Sequence, residues 1–229
     1  MAIEQKVVAS KRLSVLLGVL FVLFLSAGDG QLAQATHVCS VAEARRLPLG
    51  TRVTVDGSVS TPSGAFASSF FDVGFGLQDR SAGIYVSLQI DLHLAPGDHV
   101  RVTGNLVDSY GLLVLVPDGP DDVERCGHGA PPAPRRVRTG GVGESTEGLL
   151  VSVKATIVEA PTSDLPYGYK FFVDDGSGEL QIFVNVETGI DVTTLVSGQR
   201  VTVTGFSSQF EDHYEIDPRS SGDVVVLRR

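Results

Sequence analysis

The stretch that decides the fold begins with Phe75-Gly-Leu-Gln-Asp-Arg-Ser-Ala-Gly-Ile-Tyr-Val86 and continues in Pro96-Gly-Asp-His-Val-Arg-Val-Thr-Gly104. Apolar residues alternate with polar residues or glycine in both segments. A period of two indicates strands with one face in a core and the other in solvent. Glycine, proline and aspartate mark the turns between them. In the strand predicted near 71–78, this alternation assigns four residues to the core face: Phe71, Val73, Phe75 and Leu77.

The same pattern returns at a period of about 97 residues, the fixed spacing that marks repeated modules. The second copy reads Phe171-Phe-Val-Asp-Asp-Gly-Ser-Gly-Glu-Leu-Gln-Ile182 and Ser197-Gly-Gln-Arg-Val-Thr-Val-Thr-Gly205. Upstream of these, 53–59 matches 151–157, so the matches occur in the same order in both halves. Each half contains about five short strands, which favours a small barrel over a sandwich of about seven strands.

The motif F-x-L-Q-D-x-S-x-G-I-x-V, with P-G-D-x-V-x-V-T-G after it, resembles the exported bacterial OB-fold domains of the nucleic-acid-binding, anticodon-binding type. The resemblance covers nearly all of residues 38–229. It implies an all-β protein with two tandem five-stranded OB-fold-like barrels, and it implies nucleic-acid binding. Domains of this type often accompany secreted nuclease domains. The motif consists mainly of core and turn positions, so it is more specific for the fold than for the function.

Composition divides the chain into four segments. They are a signal peptide at 1–35, a first OB-fold-like domain at 36–127, a Pro/Arg-rich linker at 128–143 and a second OB-fold-like domain at 144–229. The uncharged stretch Leu13–Ala27 is shorter than the roughly 20 residues of a comfortable membrane span. Ala33-Gln-Ala35 then provides the small residues of a signal-peptidase site. A secreted or extracytoplasmic protein of the cell envelope is therefore expected, and an uncleaved membrane anchor is the alternative.

The chain has two cysteines, Cys39 and Cys126, which flank the first module. Disulfides persist in exported proteins, and an even number of cysteines fits pairing. A disulfide is therefore predicted, and the chain-entropy model assigns such a loop a stabilisation of roughly 4–5 kcal/mol. Two free thiols are the alternative.

The charge balance is acidic, with 18 Lys and Arg against 27 Asp and Glu. This argues against strong non-specific binding of single strands, which uses a positive groove, but it leaves room for a local basic patch. The histidines are scattered without zinc spacing, and no serine elbow or phosphate-binding loop occurs. Accordingly no metal, cofactor or catalytic residue is predicted, and the protein is predicted not to be an enzyme.

OB modules bind ligands on their second and third strands and the adjoining loops. The residues predicted to bind a ligand are the aromatic side chains and the lysine at these positions: Tyr85, Tyr110, Lys170, Phe172, Phe183, Phe210 and Tyr214. Aromatic rings stack on bases at about 1–3 kcal/mol each, but they could equally stack on sugars or pack the two modules together. Phe172 and Phe183 favour the second module, although a cross-strand contact covered by the other module is the alternative.

The leading hypothesis is an exported, non-catalytic protein that binds single-stranded nucleic acid or oligonucleotides. An envelope adaptor that binds a protein or a glycan is the alternative, and a membrane is a partner only if the signal segment stays uncleaved. The basic cluster Arg135, Arg136 and Arg138 could contact phosphates, form a solvated linker or pair with the acidic modules around it.

Overall fold

The computed structural model describes residues 37–228, and most of them belong to β-strands and the turns between strands. The predicted signal peptide at 1–35 lies outside these residues. Within the described part, no helix is long and apolar enough to cross a membrane.

Residues 37–128 contain seven strands and one short helix. The strands are β1 (His37–Val38), β2 (Arg52–Val59), β3 (Phe75–Gln78), β4 (Gly83–Val86), β5 (Asp98–Ser109), β6 (Leu112–Val116) and β7 (Val123–His128). Ser40 caps the helix α1 (Val41–Ala44). Its hydroxyl accepts a hydrogen bond from the Glu43 amide, and the Glu43 carboxylate accepts one from the Ser40 amide. This reciprocal cap satisfies amides at the start of the helix. Pro120–Asp122 forms a single 3₁₀ turn.

The second half repeats the arrangement. Its strands are β8 (Arg135–Arg136), β9 (Leu150–Asp164), β10 (Gly168–Asp174), β11 (Leu180–Asn185), β12 (Arg200–Phe210), β13 (His213–Asp217) and β14 (Val224–Val226). Single 3₁₀ turns occur at Thr139–Gly141, Val186–Thr188 and Ser221–Asp223. We call β1–β7 the first module and β8–β14 the second module.

Each module closes a five-stranded barrel with the same topology. The first barrel runs β2-β3-β4-β6-β5 and closes because β5 also pairs with β2; the second runs β9-β10-β11-β13-β12 and closes through β12 and β9. Only β4–β6 and β11–β13 pair in parallel within the two barrels. This is the strand order of the Greek-key OB barrel. The predicted all-β fold with two tandem OB-fold-like barrels is confirmed.

Two further strands pair with each barrel. β1 pairs in parallel with β2, and β8 pairs in parallel with β9; β7 and β14 pair antiparallel with β5 and β12. The arginine-rich segment is therefore attached to the second sheet through Arg135 and Arg136, which are paired with Val151 and Ser152. The predicted boundaries between the two domains and the linker stay predictions.

The alternation in sequence builds the two cores. In β2 and β5, Val53, Val55, Val100 and Val102 are completely buried inside the first barrel, and the equivalent valines of β9 and β12 fill the second barrel. A third apolar cluster lies between the modules. It consists of Phe66, Tyr85, Leu112, Val114 and Phe206.

Polar contacts join the modules around this third cluster. Arg45 forms an ion pair with the buried Glu147 at 3.0 Å, and the Leu150 amide donates to the side-chain oxygen of Gln78 at 3.0 Å. Arg219 donates to the Ser60 carbonyl at 2.7 Å. These groups are paired and partly or fully shielded from water, so they fix how the second barrel sits on the first.

The predicted disulfide is not formed, because both cysteines are free. Cys39 follows β1, and its amide donates a hydrogen bond to β2, whereas Cys126 lies on β7. Across the sheet, β2 and β5 lie side by side between β1 and β7. Three strand spacings of about 4.8 Å separate the two chain segments along the sheet. A disulfide needs a Cα separation under about 7 Å.

Candidate functional site

A cleft of about 650 Å³ lies on the outward face of β10, β11 and β13 of the second module. The first module forms its other wall, through the loop between β2 and β3 and the turn between β5 and β6. This face carries the second and third barrel strands, where OB modules bind ligands. Of the predicted ligand-binding residues, four line the cleft: Tyr110, Lys170, Phe183 and Phe210.

One aromatic pair stands at the rim where equivalent turns of the two modules meet. Tyr110, from the turn after β5, stacks on Phe210, the last residue of β12, with ring centroids 5.8 Å apart. The Glu211 amide donates to the Tyr110 carbonyl at 2.6 Å, which ties the turns together. His213 packs edge-on against the other side of Phe210 at 6.0 Å. Both predicted aromatics are therefore exposed and held in place.

A second aromatic pair lines the cleft and was missed from the sequence. Phe71 and Tyr167 lie 6.1 Å apart, and again each module contributes one ring. The prediction that Phe71 belongs to a core face is wrong: its side chain is 70% exposed and its φ is +55°, because β3 begins only at Phe75. The aromatic residue beside Pro166 in the β9–β10 loop was the available signal for Tyr167.

The floor of the cleft is acidic. Glu215 and Asp217 of β13 point out of the second barrel, while Ile216 between them points into its core. They are only 7% and 6% exposed. Burial raises the pKa of Glu215, and burial together with the neighbouring Glu215 charge raises the pKa of Asp217 well above its ordinary value. The alternation His-x-Glu-x-Asp at 213–217 was the available signal in the sequence.

The floor is also incompletely hydrogen-bonded. Gln181 donates to Glu215 Oε2 at 2.5 Å, and His213 Nε2 lies 3.8 Å from the same oxygen. In contrast, Asp217 Oδ1 and Ser109 Oγ are buried without a hydrogen-bond partner among the described residues. Buried polar atoms are normally paired, and an unpaired one costs about 1–3 kcal/mol.

The single lysine of the cleft does not make it basic. Lys170 Nζ lies 3.9 Å from Asp164 Oδ1, and the exposed Glu187 adds a further carboxylate at the rim. Lys170 and His213 thus face four carboxyl groups in the lining, and the cleft as a whole favours positive ligands.

The other predicted residues lie elsewhere. Phe172 is half-buried on β10 beside Gln181 and does not line the cleft. Tyr214 is half-buried, and its hydroxyl donates to Glu144 at 3.2 Å. Burial and the Glu144 charge raise the pKa of Tyr214.

Tyr85 requires a correction, because it is completely buried. It points out of the first barrel as predicted, but Phe206 of the second module covers it at a ring distance of 5.7 Å. Its hydroxyl donates to Asp72 at 2.8 Å and to the Phe66 carbonyl at 3.1 Å. Tyr85 therefore joins the modules and is closed to a ligand in this structure, as the packing alternative for the aromatic residues anticipated.

A second feature of the second module is a basic face on β8, β9 and β12. We define it by Arg136, Lys154 and Arg200. Arg136 pairs with Ser152, Lys154 pairs with Thr202, and Arg200 pairs with Thr156, so all three point to the outer side of the sheet. Residues diagonal to each other on neighbouring strands are roughly 7–8 Å apart. The three cations therefore form a diagonal row among serine and threonine hydroxyls.

These three cations are unpaired, whereas six other cations among the described residues form ion pairs. Arg45, Arg52, Arg101, Arg125, Lys170 and Arg219 all lie within 4.0 Å of a carboxylate. The three residues of the basic face form no ion pair with any described residue, and neither do the adjoining Arg135 and Arg138. In an acidic chain, this is a local region of free positive charge.

No group of three or more His, Cys, Asp or Glu side chains in residues 37–228 is placed to hold a metal ion.

The topology and the two surfaces define a tandem OB-fold protein. No protein-family model matches the chain. It is similar to Endonuclease YhcR of Bacillus subtilis, with 27% identity over 208 residues that cover 87% of this chain. The chain spans only 17% of that protein. The prediction that the chain is not an enzyme is contradicted by this similarity, because the relative is named as a nuclease.

Solved structures with similar folds include an OB domain from Methanosarcina mazei and a murine DNA-binding protein bound to double-stranded DNA. The first has 11% identity and a TM-score of 0.36, covering 43% of this chain and 88% of that one. The second has 12% identity and a TM-score of 0.41, covering 77% of this chain and 97% of that one. The likeness at these scores is weak, and the OB topology rests on the strand order itself.

Proposed function

We propose that this protein binds single-stranded nucleic acid through the phosphate backbone, on the basic face of the second module, and that the binding serves endonucleolytic cleavage. The observation that carries the proposal is the row of unpaired cations Arg136, Lys154 and Arg200 in an otherwise acidic chain. Lysine, arginine and hydroxyl side chains are the usual phosphate contacts, and they bind without reading sequence. The name of the relative in Bacillus subtilis supports the link to cleavage. Export, as expected from the N-terminal segment, is part of the same proposal.

The binding is tested by fluorescence anisotropy with a labelled single-stranded oligonucleotide at several salt concentrations. Each lost phosphate contact lowers the slope of log K against log salt by about 0.7 for single strands. The double variant Lys154→Gln/Arg200→Gln is therefore expected to lower the slope by about 1.4.

The matched control is Arg46→Gln/Arg80→Gln, which removes the same charge from two cations of the first module that form no ion pair among the described residues. It should leave the slope unchanged. Equal losses in both double variants, or no binding by the unmodified protein at low salt, would show that the basic face is not the site.

The cleavage is tested separately, by incubating the full chain with circular single-stranded DNA and divalent metal ions, with a chelator as control. Linear product that disappears in Lys154→Gln/Arg200→Gln supports the proposal. Intact circles under every metal tested would overturn the nuclease part while leaving the binding result to stand.

A further inference from the structure

The cleft and the basic face are different sites. The cleft lies against β10, β11 and β13 and against the far ends of β9 and β12, at Asp164 and at 208–210, whereas Lys154 and Arg200 of the basic face lie eight or more residues away along the same two strands. The two sites share no residue, so nucleic acid on the basic face does not account for the aromatic pairs or for the acidic floor.

The charges of the cleft are unsuited to a phosphate. Glu215 and Asp217 form the floor, and Asp164 and Glu187 stand nearer the rim. Lys170 lies beside Asp164 and offsets only part of this charge. A phosphate placed here would meet carboxyl groups at the floor and at the rim. A ligand with two positive charges would be attracted to the floor by one charge and to the rim by the other.

The aromatic pairs favour the same ligand chemistry. The rings of Tyr110 and Phe210 and those of Phe71 and Tyr167 stand at the opening, each pair held across the two modules. Aromatic faces attract organic cations and also pack against alkyl chains. The volume of about 650 Å³ lies within the range of sites for small molecules.

The floor also contains an acceptor that lacks a donor. Asp217 is 6% exposed, and its Oδ1 has no hydrogen-bond partner among the described residues. Ser109 Oγ is likewise buried and has no partner among them. Both residues line the cleft. A primary ammonium group carries three donors and no acceptor, so it supplies what these two atoms lack.

We propose that the cleft binds a linear aliphatic diamine or polyamine, with one ammonium group at Glu215 and Asp217, the alkyl chain between the aromatic pairs and a second ammonium group at Asp164 and Glu187. The site is independent of the proposed nucleic-acid binding, because it shares no residue with the basic face.

Isothermal titration calorimetry of the full chain with putrescine and spermidine tests the site, with 1,4-butanediol as the neutral ligand of similar shape. The amines are expected to bind and the diol is not. Asp217→Asn should weaken amine binding about tenfold or more, since the amide cannot take up the negative charge that would pair with the ammonium group. Asp121→Asn, the same substitution at an exposed residue of the first module, should leave the affinity unchanged.

Phe210→Leu is a second variant, at an exposed ring that no barrel core requires. It should weaken amine binding severalfold. It should leave unchanged the oligonucleotide binding that Lys154→Gln is expected to weaken. Equal binding of the diol, unchanged affinity in both Asp217→Asn and Phe210→Leu, or displacement of the amine by a mononucleotide would overturn the proposal. Loss of oligonucleotide binding alone would overturn only the proposed function.

Discussion

Gly83 and Gly148 lie back to back across the junction of the two modules. A Cβ built on Gly83 would come within 2.0 Å of the Gly148 carbonyl oxygen, and one built on Gly148 would come within 2.3 Å of the Gly83 backbone. Both obstacles are backbone atoms, which cannot rotate away as a flexible side chain would. The close approach of the modules thus depends on two residues without side chains.

We expect Gly83→Ala to destabilise the protein by about 1–3 kcal/mol or more, because the added methyl group forces the modules apart and disturbs the third apolar cluster. Chemical denaturation of the full chain measures the change. Gly119→Ala is the control, since no atom lies within 4 Å of its Cβ and its φ of −176° suits any residue. Equal stability of the two variants would mean that the modules do not pack in this way.

Tyr85→Phe should cost about 1–3 kcal/mol of stability, because the hydroxyl is buried and its loss removes a donor from Asp72. Ser68 and Ser87 still donate to Asp72, so the carboxylate keeps part of its hydrogen bonding. Tyr167→Phe is the matched control, since its exposed hydroxyl makes no hydrogen bond to a described residue. If Tyr85→Phe were as stable as Tyr167→Phe, the assignment of Tyr85 to the module junction would be wrong.

The acidic floor predicts a pH-dependent stability difference. Burial raises the pKa of Asp217 above its unfolded value, so the folded state holds its proton longer than the unfolded chain does. The stability from this group is therefore present at acid pH and is lost as pH rises from about 3.8 towards the folded pKa, by up to roughly 1.4 kcal/mol per pH unit. Asp217→Asn removes this dependence and should raise the melting temperature relative to the unmodified protein at alkaline pH more than at acid pH.

Thermal melts of both proteins across the pH range measure this difference. Comparing the two proteins cancels the common effect of Asp164, Lys170 and His213 around the floor, whereas Glu215 interacts with Asp217 and contributes to the measured difference. Parallel melting curves at every pH would show that Asp217 is not buried as described.

The two cysteines should react at different rates with a thiol reagent. Cys126 is exposed, whereas Cys39 is half-buried, and burial with the nearby charges of Glu43 and Asp79 raises the pKa of its thiol. The thiolate is the reacting form, so Cys39 is expected to react more slowly at neutral pH. Cys126→Ser should abolish the fast phase, and a protein with no titratable thiol would restore the disulfide prediction.

The barrels could be predicted from sequence because alternation reports directly on a strand with one buried face. Phe75 and Leu77 were assigned to a core on that basis and are buried. Alternation does not report what covers the outer face of a barrel. Tyr85 was therefore placed on the correct side of its strand, but its burial under Phe206 depends on a contact between residues far apart in the chain.

The cleft was only half predictable for a related reason. Tyr110 and Phe210 were predicted to bind a ligand, and they do line the cleft. Glu215 and Asp217 were not singled out, since a single strand of alternating acids has the same pattern whether or not a second module shields it. The pKa shifts of the floor arise from that shielding, so no local pattern contains them.

The parallel pairs of the two barrels differ in chemistry at one equivalent position. In the first module Tyr85 pairs with Val114, and the second module buries both side chains. At the equivalent place in the second module, Gln181 pairs with Glu215. The same strand pair therefore seals the junction between the modules in one copy and forms part of the cleft floor in the other.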